Sequence, residues 1–221
     1  MSDTRGVFNL RSISKRKISE EWINLDNVWI SPSPFLSPTP NTGYFGGGSG
    51  LVSTMDKLNF TSDTRVTVPS AALTAGTYGT AATSSSDAGY FGGGRVQITT
   101  FDKVTYASDT RSTLPNVPGT NLTIGRQRLA ATGNSTHGYF GGGANEPGSS
   151  IYSTVDKITY ASDTSAAVPG AALNGARYSL AATGNSTAGY FGGGDVTGDG
   201  ASNSVTKMEK VTYASDTTAA V

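Results

Sequence analysis

One hexapeptide, Gly-Tyr-Phe-Gly-Gly-Gly, occurs four times, beginning at Gly43, Gly89, Gly138 and Gly189 with spacings of 46, 49 and 51 residues. An acid–lysine pair follows each copy: Asp56-Lys57, Asp102-Lys103, Asp156-Lys157 and Glu209-Lys210. A Ser-Asp-Thr triplet comes next, at Ser62, Ser108, Ser162 and Ser215. Ala-Ala-Thr begins at Ala81, Ala130 and Ala181, each time eight residues ahead of the next hexapeptide. Blocks recurring in a fixed order specify a stack of like units rather than one irregular globule.

Each unit reads as four short strands. Tyr178 to Thr183 and Ala188 to Phe191 are brief, apolar-rich and bounded by Gly, Asn and Ser. Ile158 to Tyr160 and Ala166 to Val168 supply the other two, separated by the turn-forming Ser-Asp-Thr. Pro169-Gly170 closes the unit, and Pro69, Pro115 and Pro118 mark the same junction earlier. Four strands in about 50 residues is the period of a propeller blade. The predicted fold is all-β, with units at 41–69, 70–118, 119–169 and 170–221. Side chains alternate along a strand, so Tyr44-Phe45 and Tyr190-Phe191 put one ring on each face, as a sheet wedged between two neighbours requires. The glycines that follow allow positive φ and close backbone approach. No Gly-Lys-[Ser/Thr] follows them, so they do not read as a phosphate-cradling loop.

The first unit lacks Ala-Ala-Thr; its counterpart is Pro-Ser-Pro-Phe-Leu-Ser-Pro-Thr-Pro, which prolines exclude from a central strand. The last reaches Val221 where earlier copies continue into Pro-Gly. One unit without its first strand and three complete ones leave two open sheet edges. A four-unit ring, closure by another chain, or further units in a longer protein would each answer this. The last two are the preferred expectations, and a homo-oligomer is predicted.

Residues 1–34 form a separate element, joined by a Pro-rich spacer that runs to about residue 40. Ile18, Trp22, Leu25 and Trp29 fall at helical spacing, and five basic residues, Arg16 among them, precede Trp22. The segment either lies on the repeats or docks through Arg16, Trp22 and Trp29 into another protein, tryptophan and arginine being favoured at interfaces. The opening residues hold no apolar stretch of the kind that marks a Sec signal.

Composition removes several classes. Lys+Arg and Asp+Glu are 16 each, so no net field attracts nucleic acid or an anionic membrane, and no nucleic-acid partner is expected. No run of about 20 apolar residues is present, so no membrane span is predicted. There is no cysteine and one histidine, which excludes thiolate zinc sites, Cys nucleophiles and any site needing two imidazoles.

The remaining chemistry reads as structural. Carboxylates recur seven residues apart at Asp56/Asp63, Asp102/Asp109, Asp156/Asp163 and Glu209/Asp216. A catalytic pair needs one special environment with two differently tuned groups, which four equivalent pairs do not offer. The expectation is that the Ser-Asp-Thr aspartate caps its own turn, and that the acid–lysine pairs expose alternating charge at strand ends. His137 stands where other copies have Thr42, Ala88 and Ala188, so the scaffold does not need it. Asp195 and Asp199 offer oxygens to Ca²⁺, but their spacing departs from an EF-hand loop and a solvated turn is the reading adopted. No cofactor, metal or catalytic residue is predicted. The sequons at Asn59, Asn121, Asn134 and Asn185 read as Asn- and Thr-rich turns.

One feature points to function. Between Gly-Gly-Gly and the acid–lysine pair, the loop holds 7, 7, 12 and 14 residues in successive units, while its surroundings are nearly copied. Loops that vary on one face of a repeat array are where binding is expected. The candidates are Asn145, Glu146, Ser149 and Tyr152 in one loop, and Asp195, Asp199 and Asn203 in the next. Their chemistry suits hydrogen bonding to sugars, and equally suits solubility alone.

The order Arg-Tyr-Ser-Leu-Ala-Ala-Thr-Gly-Asn, Ala-Gly-Tyr-Phe-Gly-Gly-Gly, Ser-Thr-Val-Asp-Lys-Ile-Thr-Tyr-Ala-Ser-Asp-Thr and Ala-Ala-Val-Pro-Gly resembles kelch repeats. Kelch units carry a Trp after the spaced Tyr; here both tryptophans lie outside the repeats. The near-verbatim Leu-Ala-Ala-Thr-Gly-Asn-Ser-Thr-x-Gly-Tyr-Phe-Gly-Gly-Gly and Lys-[Ile/Val]-Thr-Tyr-Ala-Ser-Asp-Thr are more similar to repeats of virion structural and tail-fibre proteins of marine tailed phages, cyanophages among them. This resemblance covers roughly residues 35–221 and implies kelch-like blades in a virion tail, exposed to the medium. It further implies attachment to other virion proteins through residues 1–34, and a host glycan or protein as ligand. A purely architectural connector and a cellular kelch adaptor are the rival expectations. A galactose-oxidase-type kelch enzyme is excluded because its copper needs Cys and several His.

Overall fold

The computed structural model describes residues 41–95, 98–145, 149–196 and 203–221. These residues form four antiparallel sheets in chain order. The first has three strands, β1 (Thr42–Gly46), β2 (Met55–Asn59) and β3 (Thr64–Thr67). The second has four, β4 (Ala81–Ser84), β5 (Ala88–Gly92), β6 (Phe101–Thr105) and β7 (Thr110–Thr113). The third comprises β8 (Ala130–Gly133), β9 (His137–Gly141), β10 (Val155–Thr159) and β11 (Thr164–Ala167). The fourth comprises β12 (Ala181–Gly184), β13 (Ala188–Gly192), β14 (Met208–Thr212) and β15 (Thr217–Ala220). Every sheet is an up-and-down meander, and helix among the described residues is limited to single 3-10 turns at Pro69–Ala71 and Pro169–Ala171. First strands lie beside one another, β4 against β8 and β8 against β12.

Strand register explains the paired aromatics. Tyr90 stands opposite Lys103 and Phe91 opposite Asp102; Tyr139 opposes Lys157 and Phe140 opposes Asp156. Residues directly opposite share a face, so Tyr and Lys point one way and Phe and the acid the other. The Tyr–Lys face meets the following sheet. Tyr44 stacks on Tyr106, Tyr90 on Tyr160 and Tyr139 on Tyr213, with ring centroids 5.1, 4.9 and 4.8 Å apart. Lys57, Lys103 and Lys157 reach Asp109, Asp163 and Asp216 of that next sheet at 2.9, 2.8 and 2.8 Å. The hydroxyls of Tyr44, Tyr90 and Tyr139 donate to the same three carboxylates. The Phe face meets the preceding sheet, where a glycine clears a slot: a Cβ on Gly92 would lie 3.3 Å from the Phe140 ring, and one on Gly141 2.8 Å from the Phe191 ring.

The apolar core is accordingly divided. One cluster, with Met55, Leu73, Phe91 and Val104, fills the first seam. A second holds Tyr90, Phe101, Phe140, Ile158 and Tyr160, and a third holds Tyr139, Val155, Phe191, Val211 and Tyr213. Four sheets thus share three interfaces, each built from two neighbouring units.

Three expectations are corrected. The acid–lysine pairs do not expose charge at strand ends: they sit inside β2, β6, β10 and β14. Asp156 forms a wholly buried ion pair with Arg126 at 2.9 Å, and Glu209 one with Arg177 at 2.8 Å. The Ser-Asp-Thr aspartate does not cap its own turn. Serine and threonine hydroxyls close that turn at 2.6–2.7 Å, while aspartate takes a left-handed backbone (φ 51 to 54°) that aims the carboxylates of Asp109, Asp163 and Asp216 at the neighbouring sheet. The strand expected from Tyr178 begins at Ala181, because Ser179 adopts φ 54° and breaks the extended run. The segment 1–34, with Arg16, Trp22 and Trp29, lies outside the described residues.

Candidate binding face

The variable loops leave β1, β5, β9 and β13 through the glycine run and return on β2, β6, β10 and β14. That end is shared with the links that lead into the first strands. Gly48, Gly94 and Gly143 donate backbone hydrogen bonds to Thr77, Arg126 and Arg177 at 2.8–2.9 Å. The preceding glycine has φ near 70°, and a Cβ on Gly93 or Gly142 would lie 2.6 Å from the carbonyl oxygen of Arg126 or Arg177. The links hydrogen-bond to one another as well: Arg128 N donates to Gly79 at 2.7 Å and Ser179 N to Arg128 at 2.8 Å. A continuous backbone rim therefore supports the loops from beneath.

The structure places the expected loop residues on this rim with their polar groups partly engaged. Asn145 Oδ1 accepts from Ser150 N at 2.7 Å and its Nδ2 donates to Ser149 Oγ at 3.2 Å. Ser149 is exposed, and Tyr152 is half-buried with its N–H on the Gly143 carbonyl at 2.8 Å. Asp195 bridges Tyr178 and Ser204 through its backbone, and its Oδ1 accepts from Ser204 Oγ at 2.6 Å. The Asn203 carbonyl accepts from Val196 N at 3.3 Å. Glu146 and Asp199 lie outside the described residues, and so does one half of the Ca²⁺ candidate pair. Among the described residues no three His, Cys, Asp or Glu side chains gather as metal ligands.

Two cation–aromatic pairs, not foreseen from the sequence, sit beside the loops: Arg95 lies over the Tyr78 ring at 5.5 Å and Arg128 over Tyr178 at 5.7 Å. Their signal was present, since Tyr78 and Tyr178 hold equivalent positions three residues ahead of Ala-Ala-Thr. The buried arginines carry a similar one, Arg126 and Arg177 each standing four residues ahead of it. In the second unit that position is Thr77, and Thr80 replaces the leucine found at Leu129 and Leu180. A cavity of about 120 Å³, lined by Thr77, Thr80, Phe91 and Asp102 among others, occupies this place.

His137 begins β9 at the opposite end of its sheet, its Nδ1 2.8 Å from Thr136 Oγ1. Burial, then the Lys157 charge, lower its pKa. Asn134 and Asn185 lie at that same end in Asx turns, each Oδ1 accepting from two backbone N–H groups and a threonine hydroxyl. Among the described residues no helix is long and apolar enough to cross a membrane. No protein-family model and no curated protein matches the chain.

Proposed function

We propose that the protein is a non-enzymatic structural component of a phage virion, in its tail or a tail fibre. Its four sheets act as kelch-like propeller blades, and the loops at one end meet a host-surface glycan or protein. The observation that carries the display role is a copied framework in which one class of loop, all at one end, grows from 7 to 14 residues. A rigid frame with length variation at one rim is how a scaffold changes ligand without changing fold. The exposed Arg128, its guanidinium over the buried Tyr178 ring at the loop rim, supports a sugar or protein ligand, since guanidinium donors suit both. The phage assignment rests on the repeat motifs, and attachment through Arg16, Trp22 and Trp29 follows from it.

The test exchanges the third and fourth loops for the seven-residue loop of the first unit. Loss of adsorption to host cells, with an unchanged melting temperature, is the expected result. The architectural reading has an observation of its own: Asn145 and Asp195 direct side-chain oxygens to loop neighbours. It predicts that the exchanged protein adsorbs normally but enters virions poorly.

A further inference from the structure

One face is covered three times along the chain. Tyr44, Tyr90 and Tyr139 each carry a stacked tyrosine, Lys57, Lys103 and Lys157 each hold an aspartate, and Gly46, Gly92 and Gly141 each leave room for a phenylalanine of the next sheet. The fourth sheet repeats these groups uncovered. Tyr190 and Lys210 stand opposite one another in β13 and β14 and have no ring, ion-pair or hydrogen-bond partner for their side chains among the described residues. A Cβ on Gly192 would meet nothing within 4 Å. Met208 is 48% exposed, whereas its counterparts Met55, Phe101 and Val155 are at most 1% exposed. An open groove of about 350 Å³ runs past Thr183, Tyr190, Gly192 and Met208.

The first sheet presents the complementary set, also uncovered by the described residues. Phe60, 54% exposed, takes the place of Tyr106, Tyr160 and Tyr213; Phe45, 63% exposed, takes that of Phe91, Phe140 and Phe191. Asp63 takes the place of Asp109, Asp163 and Asp216, with the same left-handed backbone at φ 51° and no partner for its carboxylate among the described residues.

We propose that the first sheet of one chain seats on the fourth sheet of a second copy, head to tail. Phe45 fills the slot over Gly192, Phe60 stacks on Tyr190 and Asp63 pairs with Lys210. The occupant is a second copy because both halves of a contact made three times between the described sheets lie open on the first and fourth of them, with matching rings and opposite charges. Such heterologous contacts close into a ring or extend as a filament. Two chains closing on each other give eight sheets, within the roughly 4–8 of known propellers. The inference stands on interface geometry and holds whether or not the protein belongs to a virion.

Light scattering on the full chain, across a range of concentrations and salt, tests it. The wild-type protein is expected to assemble, more weakly at high salt. Gly192→Leu, which has free space in the single chain, is expected to leave the melting transition intact and abolish assembly. Phe45→Ser/Phe60→Ser blocks the other end, and an equimolar mixture of the two variants should stop at a one-to-one dimer. Phe60→Tyr restores the hydroxyl that Tyr160 and Tyr213 share with Thr83 and Thr132, here facing Thr183, and should tighten assembly about fivefold. A single-chain mass for the wild type at every concentration would overturn the proposal. So would Gly192→Leu assembling as the wild type does.

Discussion

Asp163 ties two sheets together with one carboxylate: Lys103 Nζ lies 3.0 and 2.8 Å from its two oxygens, and Tyr90 donates at 2.7 Å. The side chains keep a quarter to a third of their exposure, which screens the charge pair. Asp163→Asn preserves the left-handed turn, since Asn tolerates that conformation, and removes only the charge. It should lower stability by about 1 kcal/mol in urea unfolding. The equivalent Asp109 and Asp216 predict the acid limb. Burial opposes their ionisation, but hydrogen bonds from lysine and tyrosine and the lysine charge outweigh it and hold both below the usual carboxylate range. The unfolded chain therefore takes up protons first: the stabilisation is complete above about pH 4 and is lost as pH falls through the folded values. Tyr90 and Tyr139 predict the alkaline limb. Burial, then the hydrogen bond to aspartate, push both phenols well above their ordinary range. Their stabilisation is complete below about pH 10 and declines above it, where unfolded tyrosines ionise first. The tyrosinate absorbance that Tyr90 and Tyr139 contribute, read as the difference from the Tyr90→Phe/Tyr139→Phe protein, should accordingly rise together with loss of β signal rather than ahead of it.

Within one unit, the buried arginine decides how the link joins its sheet. Arg177 donates to both oxygens of Glu209 and to the Phe191 carbonyl. Arg177→Ala strands a buried carboxylate and should cost about 3–5 kcal/mol. Replacing both partners by Arg177→Met/Glu209→Leu should cost far less, because no charge is then left unpaired. The second unit supplies the converse experiment. Thr77→Arg with Thr80→Leu fills the cavity beside Asp102 and recreates the pairing of the later units. A gain of about 1 kcal/mol is expected, read as a higher melting temperature.

Across the assembly of sheets, each unit is stabilised only by its neighbours, so stability is a sum of unit and interface contributions. Among the described residues, the second and third sheets are covered on both faces and the outer two on one. In the unassembled Gly192→Leu protein, amide exchange should be fastest in β1–β3 and β12–β15 and slowest in β5, β6, β9 and β10. An equal rate in all four sheets would mean one cooperative block instead. The same asymmetry explains why Phe45 and Tyr190 differ in burial from their buried copies Phe140 and Tyr139, though local sequence is almost identical.

Repetition made the strand plan and the two-sided burial of Tyr and Phe readable from the chain alone, because period and alternation are properties of neighbours in sequence. The variable loops were readable for the same reason, as departures from a copied frame. What residues far apart in sequence do for one another was not readable: Lys103 and Asp163 carry no local mark of their pairing, and an acid beside a lysine looks solvated until a third element covers it. Burial of Asp156 and Glu209, the aim of the Ser-Asp-Thr carboxylate, and the exposure of one complementary face at each end all depend on which sheet lies next to which. Those are decided by packing in three dimensions, where one strand register sets both faces of a sheet at once.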